Sequence, residues 1–350
     1  MIDPIVSVIM PIFNCQQYAR ESIESVLNQT FKNFEFLIID DASTDQTVDI
    51  IKSYKDERIK LIEKPKNDGY TNSLNYGLKI AKGKYIARMD ADDISMPERF
   101  EKQVAFLELN SKTVLCGASY SIIGSNEFTL NPQYNEDIKL GLLWTNCIAH
   151  PSVMLRAQTL KEFSLFYDVS KEPSEDYDLW VRLLNYGELY NLPQILLQYR
   201  VHDTQVSILR QNVQKNIGNR IRCSLLLSCL ETETSELNKE MLFKVLMNEK
   251  LLNLKEIKLF IILKSDLVHS NSNSKPFFEP IAFQNFLNNL ESTLLNKCFI
   301  NRSSYSPKVF FDFLIVKNKI NKKFKLKVII TLFVKSFSFW RVKKTSVPIT

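Results

Sequence analysis

Short runs of consecutive apolar residues alternate, over the first 110 or so positions, with segments whose apolar residues recur every three or four places. Residues 5–10 form the first such run, which Pro11 should stop; residues 34–39, 59–62 and 85–89 form the next three. Runs this short, rich in β-branched and aromatic residues, predict buried strands. Between them, helices are expected over residues 16–28, where Ile23, Val26 and Leu27 share a face, then from Ser43 to Tyr54, and after Gly69 through Ala81. Ser43 with Gln46, and Ser95 with Glu98, fit the capping-box spacing; the second should open a helix with Phe100, Val104 and Leu107 on one face. Further strands are predicted over 114–123, 152–155 and 192–199, and a helix over 179–186. From about residue 208 the pattern changes to long helical runs rich in Leu, Lys and Asn, with a polar linker at 270–275 and no internal repeat.

Strands alternating with helices predict an α/β fold: a mixed, mostly parallel sheet flanked by helices, then a mainly helical C-terminal region. We expect one domain over 1–207, its nucleotide-binding half at 1–110 and the remainder at 111–207, followed by a basic helical region at 208–350. Neither G-x-G-x-x-G nor G-x-x-x-x-G-K-[ST] follows the first strand, which disfavours dinucleotide and P-loop binding.

Composition narrows the class. The 350 residues are 45% hydrophobic, with 8 Gly and 12 Pro, so neither a fibrous nor a linker-dominated chain is indicated. Met1-Ile2-Asp3-Pro4 carries no basic leader region, and the longest apolar runs, such as 328–334, are too short to cross a bilayer. Six scattered cysteines without zinc-ligand spacing read as reduced thiols, and a cytoplasmic location is expected. The net charge of +6 conceals an asymmetry: residues 206–350 hold 24 Lys and Arg against 10 Asp and Glu, and the remainder 21 against 29. From Arg302 onward there are 12 basic residues and the single acid Asp312.

The chemistry concentrates where the run at Tyr85 ends. Asp90, Asp92 and Asp93 follow it within four positions, and carboxylates crowded at a strand end are unfavourable unless a cation neutralises them. A solvated acidic turn is the plain alternative. Other acidic groups stand in Asp40-Asp41-Ala42-Ser43 and in Ser174-Glu175-Asp176-Tyr177-Asp178, and a histidine closes Tyr199-Arg200-Val201-His202.

Through Val-Ser-Val-Ile-Met-Pro-Ile-Phe-Asn, Ile-Ile-Asp-Asp-Ala-Ser-Thr-Asp, Asn-Asp-Gly, Arg-Met-Asp-Ala-Asp-Asp, Ser-Glu-Asp-Tyr-Asp-Leu-Trp and Tyr-Arg-Val-His-Asp-Thr-Gln-Val-Ser, in this order, the chain resembles an inverting family 2 glycosyltransferase of the GT-A (Rossmann-like) fold, of the bacterial cell-surface polysaccharide kind. The resemblance runs from Val6 to about Ser207, about three-fifths of the chain. It implies a metal-dependent transfer of a sugar from a nucleotide-diphosphate donor, UDP-linked, to a hydroxyl of a cell-surface glycan or lipid-linked acceptor. Asp90 and Asp92 match the family's DxD motif: Asp92 as ligand of Mn²⁺ or Mg²⁺, Asp90 nearer the ribose or the metal's water. Asp93 is read as support for the Ser95 helix cap. Asp41 matches the position that hydrogen-bonds the base, with Pro11, Phe13 and Asn14 packing around it and Gly69 admitting the nucleotide to the backbone. Asp40 and Asp45 are read as charge at a helix N-terminus. Asp176 matches the catalytic base that takes the acceptor's proton, and Trp180 would wall the site. His202 lies near a family position that reaches diphosphate or metal; a surface histidine is the alternative. His150 lines the acceptor side or packs structurally, and Arg88 and Arg99 balance charge.

The basic tail, with Lys317–Lys327 and Trp340–Lys344 interleaving cationic and apolar residues, suits peripheral adsorption to the anionic inner face of a cell membrane, at about 1 kcal/mol per near-surface Lys or Arg. A packing or oligomerisation element is the alternative, and no motif supports nucleic-acid binding. Rivals to the enzyme as a whole are a non-catalytic nucleotide-sugar or glycan binding module and a nucleotidyltransferase. The first would lack the acids, and the second would carry a Gly-rich basic loop where Pro-Ile-Phe-Asn stands.

Overall fold

The structure, a computed structural model, describes residues 3–230, 234–247, 251–272, 276–320 and 324–338. The chain divides into two compact units, Met1–Ile221 and Arg222–Thr350. In the first, one sheet is built from β1 (Val6–Ile12), β2 (Phe34–Asp40), β3 (Ile59–Glu63), β4 (Tyr85–Arg88), β5 (Ile94–Ser95), β6 (Thr113–Ile122), β7 (Phe128–Thr129), β8 (Met154–Arg156) and β9 (Glu188–Tyr199). Their order is β3-β2-β1-β4-β8-β6-β9-β5, with β7 beside β6. The first four run parallel. β8 is antiparallel to both its neighbours, while β6 and β9 are parallel over their length. The expected α/β class, a mixed sheet dominated by parallel ladders, is what the chain forms.

β1 and β2 are buried at every position, as strands covered on both faces must be. Val6, Val8, Met10 and Ile12 point to one face, where they pack with Ile23 and Val26 of α1 (Ala19–Leu27) and with Phe100, Val104 and Leu107 of α4 (Arg99–Leu109). Between these come α2 (Thr47–Lys52) and α3 (Tyr70–Ile80); Gly77 of α3 sits against Ile9 on the opposite face. α5 (Asn135–Leu142), α6 (Ala157–Glu162), α7 (Glu175–Leu183) and α8 (Val206–Leu209) complete the unit, and α9 (Gln211–Leu227) runs across its end. The second unit is helical: α10 (Glu236–Met247), α11 (Leu254–Asn271), α12 (Pro280–Leu295), a π-turn at Asn296–Ile300, α13 (Pro307–Lys317) and α14 (Leu326–Phe337).

Several local expectations are corrected. Pro11 lies inside β1 rather than ending it: β4 pairs with β1 only as far as Ile9, so beyond it β1 has β2 alone and can spare an N–H. Neither N-terminal capping box forms. Ser43 receives the Asn14 N–H instead (2.9 Å), and α2 begins at Thr47. Ser95 belongs to β5, and α4 starts at Arg99 with no side-chain cap. The helix read over 179–186 begins earlier, at Glu175, and Ser270 and Asn271 are the last turn of α11 rather than linker. Residues 273–275, the middle of the basic stretch at 321–323 and the segment Trp340–Lys344 lie outside the described residues.

A buried polar knot fixes the amino-terminal end of the sheet. Ser7 Oγ donates to Glu35 Oε1 (2.6 Å) and accepts from the Gly83 N–H (2.8 Å), while Lys60 Nζ pairs with Glu35 (2.5 Å). A Cβ at Gly83 would stand 2.5 Å from Ser7 N and 2.8 Å from Val6 C, both backbone atoms that cannot swing away. Gly83→Ala is therefore expected to cost about 3 kcal/mol in urea unfolding; a loss under about 1 kcal/mol would mean that β1 and β4 are not held this tightly.

Candidate active site

The parallel register aligns the carboxyl ends of β1, β2, β3 and β4, so the loops that follow them share one edge of the sheet. After β1, Phe13 is half exposed, and Asn14 adopts a left-handed backbone (φ 46°). Its side chain accepts the Thr44 N–H at 2.8 Å while its own N–H meets Ser43 Oγ, so the loops after β1 and β2 are clipped together. Ala42, between them, is also left-handed (φ 63°). Asp40 turns this loop by accepting the Ser43 N–H (3.0 Å). Asp45 accepts from Thr47 and Gln16; against partial burial, these bonds hold its pKa below the ordinary value.

Asp41 is buried and already engaged. Lys64 Nζ donates to Oδ1 (2.6 Å), and the Gly69 N–H donates to Oδ2 (2.9 Å). Gly69, at φ 97°, occupies the left-handed region that favours glycine and stands at the N-terminus of α3. The resemblance singled out Asp41 and Gly69 separately; the structure joins them directly, beside a lysine that sequence reading passed over.

The acids after β4 form a cluster. One oxygen from each of Asp90, Asp92 and Asp93 falls within 4.8 Å of the others. Asp90 forms an ion pair with Arg88, itself buried in β4. Burial pushes the Asp90 pKa up, Arg88 opposes it and Asp92 adds to it. Asp93 is driven up strongly by burial and by both neighbouring charges. Asp93 is no helix-cap support: Oδ1 accepts the Arg200 N–H (2.8 Å), and Oδ2 is buried without a hydrogen-bond partner among the described residues. His202 Nε2 lies 2.9 Å from Asp92 Oδ2, and its ring packs beside Tyr18. Arg200 straps this corner, donating to the Asp92 carbonyl (2.7 Å) and to Glu21 (2.5 Å). Arg99 pairs with no carboxylate among the described residues; it donates to the Arg88 carbonyl (2.5 Å) instead. Three carboxylates with an unpartnered buried oxygen make a hard, anionic donor set, which fits Mg²⁺ or Mn²⁺.

A second acidic pair opens α7. Glu175 accepts the Tyr70 O–H (2.8 Å) from the first turn of α3, and Glu172 accepts from Thr71 (2.7 Å), so the N-termini of the two helices are tied together. Asp176 accepts the Asn146 side-chain N–H (2.7 Å) and the Tyr177 N–H (2.6 Å). Burial and the neighbouring Asp176 charge push Glu175 up to about 8, and burial pushes Asp176 up to about 6. Near neutral pH one carboxyl keeps its proton while the other is ionised, a division suited to proton transfer. Trp180 is fully buried, edge-on to His150, and His150 Nε2 contacts the Tyr167 hydroxyl (3.0 Å). Burial, reinforced by Arg88, keeps that imidazole neutral.

Residues 7–161 match the model of the glycosyl transferase family 2. An uncharacterised glycosyltransferase of Haemophilus influenzae is 37% identical over 233 residues, 63% of this chain and 72% of that protein. The chain belongs to glycosyl transferase family 2. The Escherichia coli UDP-Glc:alpha-D-GlcNAc-diphosphoundecaprenol beta-1,3-glucosyltransferase WfaP is 36% identical over 234 residues, 63% of this chain and 90% of that protein. In shape, S. aureus TarS in complex with UDP-GlcNAc superposes with a TM-score of 0.56 at 17% identity, over 83% of this chain and 90% of that one. That likeness concerns the GT-A fold alone. Family membership sets the nucleotidyltransferase reading aside. Asp176 and His202 lie beyond the residues that the family 2 model matches.

Sequence reading missed Lys64, Tyr70, Asn146 and Arg200. Arg200 stood in a quoted motif, but the others carry no local pattern and act only once distant elements meet. Asn146 donates to the ionised form of Asp176, so its removal should favour the protonated form. In Asn146→Ala the Asp176 pKa should rise by about one unit, read by carboxyl-carbon NMR with Asp176→Asn to identify the signal. An unchanged or lowered value would show that Asn146 does not set it.

Proposed function

We propose that this family 2 glycosyltransferase carries out a metal-dependent, inverting transfer from a UDP-sugar to a hydroxyl of a growing cell-surface glycan, carried on a lipid diphosphate. The observation that carries the reading is the pair of acidic groups: Asp90, Asp92 and Asp93 crowded at the end of β4, and Asp176 ionisable near neutrality on α7. The UDP-sugar and the lipid-linked acceptor are suggested by the activity for which the E. coli relative is named. In this reading the enzyme works on the cytoplasmic side of the membrane; no helix of the described residues is long and apolar enough to cross one.

Asp92, with Asp90 and His202 beside it, would hold the Mn²⁺ or Mg²⁺. Bound there, the cation would offset the charge that builds on the departing diphosphate. Pro11, Phe13 and Asn14 would line the base, Asp41 would accept from it after exchanging the Lys64 or Gly69 contact, and Gly69 would leave room for the nucleotide at the backbone. Ionised Asp176 removes the proton from the acceptor hydroxyl. The hydroxyl oxygen bonds to the anomeric carbon from the face opposite the diphosphate, the bond to the diphosphate oxygen breaks, and UDP leaves with the bonding electrons. Stereochemistry inverts in this single displacement, and no side chain is needed as nucleophile.

Release of free nucleotide from UDP-, GDP- and dTDP-sugars, with Mn²⁺, Mg²⁺ or a chelator, tests the donor side without an acceptor. We expect metal-dependent release from a UDP-sugar, reduced about a hundredfold or more in Asp92→Ala. Asp176→Asn should lower transfer about 10³-fold while calorimetric donor affinity changes less than about threefold. If no nucleotide-sugar binds with metal present, the catalytic reading fails.

A further inference from the structure

The last helix among the described residues of the second unit carries a feature that the proposed transfer does not use. Leu326, Ile330, Phe333, Val334 and Phe337 of α14 fall within an arc of about 100° at helical spacing. All five are exposed, from 42% for Phe337 to 71% for Leu326. The opposite side of α14 is buried through Leu332 and Ser336. On the adjoining α13, Phe311 and Ile315 are exposed as well, and the Phe311 ring lies 6.2 Å from that of Phe337. An apolar surface spread over two helices is rarely left to water and marks a place of contact.

Charge identifies what it contacts. Lys308, Lys319, Lys325 and Lys327 are exposed on the same two helices and their ends. Asp312 is the single acid among residues 302–338. A second copy of the chain meeting this face through a two-fold axis would bring these lysines against their own counterparts. An anionic bilayer accepts both parts, the apolar arc among the acyl chains and the lysines among phosphate headgroups. With 12 residues, α14 is about 18 Å long, against about 30 Å of hydrocarbon, so it lies in the interface rather than across it.

We propose that the α13–α14 face is a docking surface for anionic membrane, with Ile330, Phe333, Val334 and Phe337 inserting and Lys325 and Lys327 contacting headgroups. This goes beyond the transferase reading, and binding can be measured without turnover. The full chain would be sedimented with phosphatidylcholine vesicles with and without phosphatidylglycerol, at low and high salt. Partition should need the anionic lipid and weaken with salt. Lys325→Glu with Lys327→Glu should lower it about 25-fold or more, taking about fivefold for each lysine lost. Ile330→Ser with Val334→Ser should lower it about tenfold, with donor binding and thermal unfolding unchanged. Equal binding to neutral vesicles, or no binding to either, would overturn the proposal. So would a concentration-dependent dimer that Ile330→Ser with Val334→Ser abolishes.

Discussion

Carboxylates crowded in a buried space must be neutralised, and the structure places that requirement at the end of β4. Burial and mutual repulsion raise the pKa of Asp90 and Asp93. The fold answers only in part. Arg88 pairs with Asp90 from inside the strand, Arg200 satisfies one oxygen of Asp93, and the other oxygen is left without a hydrogen bond among the described residues. A set that is tethered but short of positive charge is what a divalent cation completes. The same Arg88 also favours the ionised form of Asp176 and the neutral form of His150, so one buried guanidinium influences both acidic groups.

How legible this was in the sequence depended on distance along the chain. The four parallel strands could be read because each is a short run of buried apolar residues, and the acids could be read because they follow one such run directly. The two-residue strands β5 and β7 carry no pattern of their own; they exist because β9 and β6 offer free edges. The N-terminal capping boxes failed for a similar reason. Ser43 and Ser95 had the right spacing, yet Asn14 and Gln29 offered them partners from other elements. Asn146 and Tyr70 belong to the site through contacts spanning 30 and 105 positions, which no local pattern encodes.

The two sides of the site are built differently. The side following β1 to β4 consists of consecutive loops brought to one edge by parallel register, so its residues keep a fixed order. The side around α7 rests on Asn146 and on Tyr70 and Thr71 of α3, far apart along the chain. The two sides are not independent: the Arg88 N–H, next to the acids, bonds the Val153 carbonyl in the segment between β6 and α7.

The clip between the loops after β1 and β2 bears on how the site comes into being. Asn14 and Ala42 both hold left-handed backbones, each at a cost of about 1–2 kcal/mol for an L-residue. The Ala42 turn has the local bond from the Ser43 N–H to Asp40, but the Asn14 turn leans on Ser43 and Thr44, 29 and 30 positions away. Asn14 gains these partners only after β1 and β2 have paired and brought the loops together. This corner of the site is thus a product of assembly, absent from any partly folded chain in which those strands are apart. A nascent chain would lack this corner until its first two strands had met.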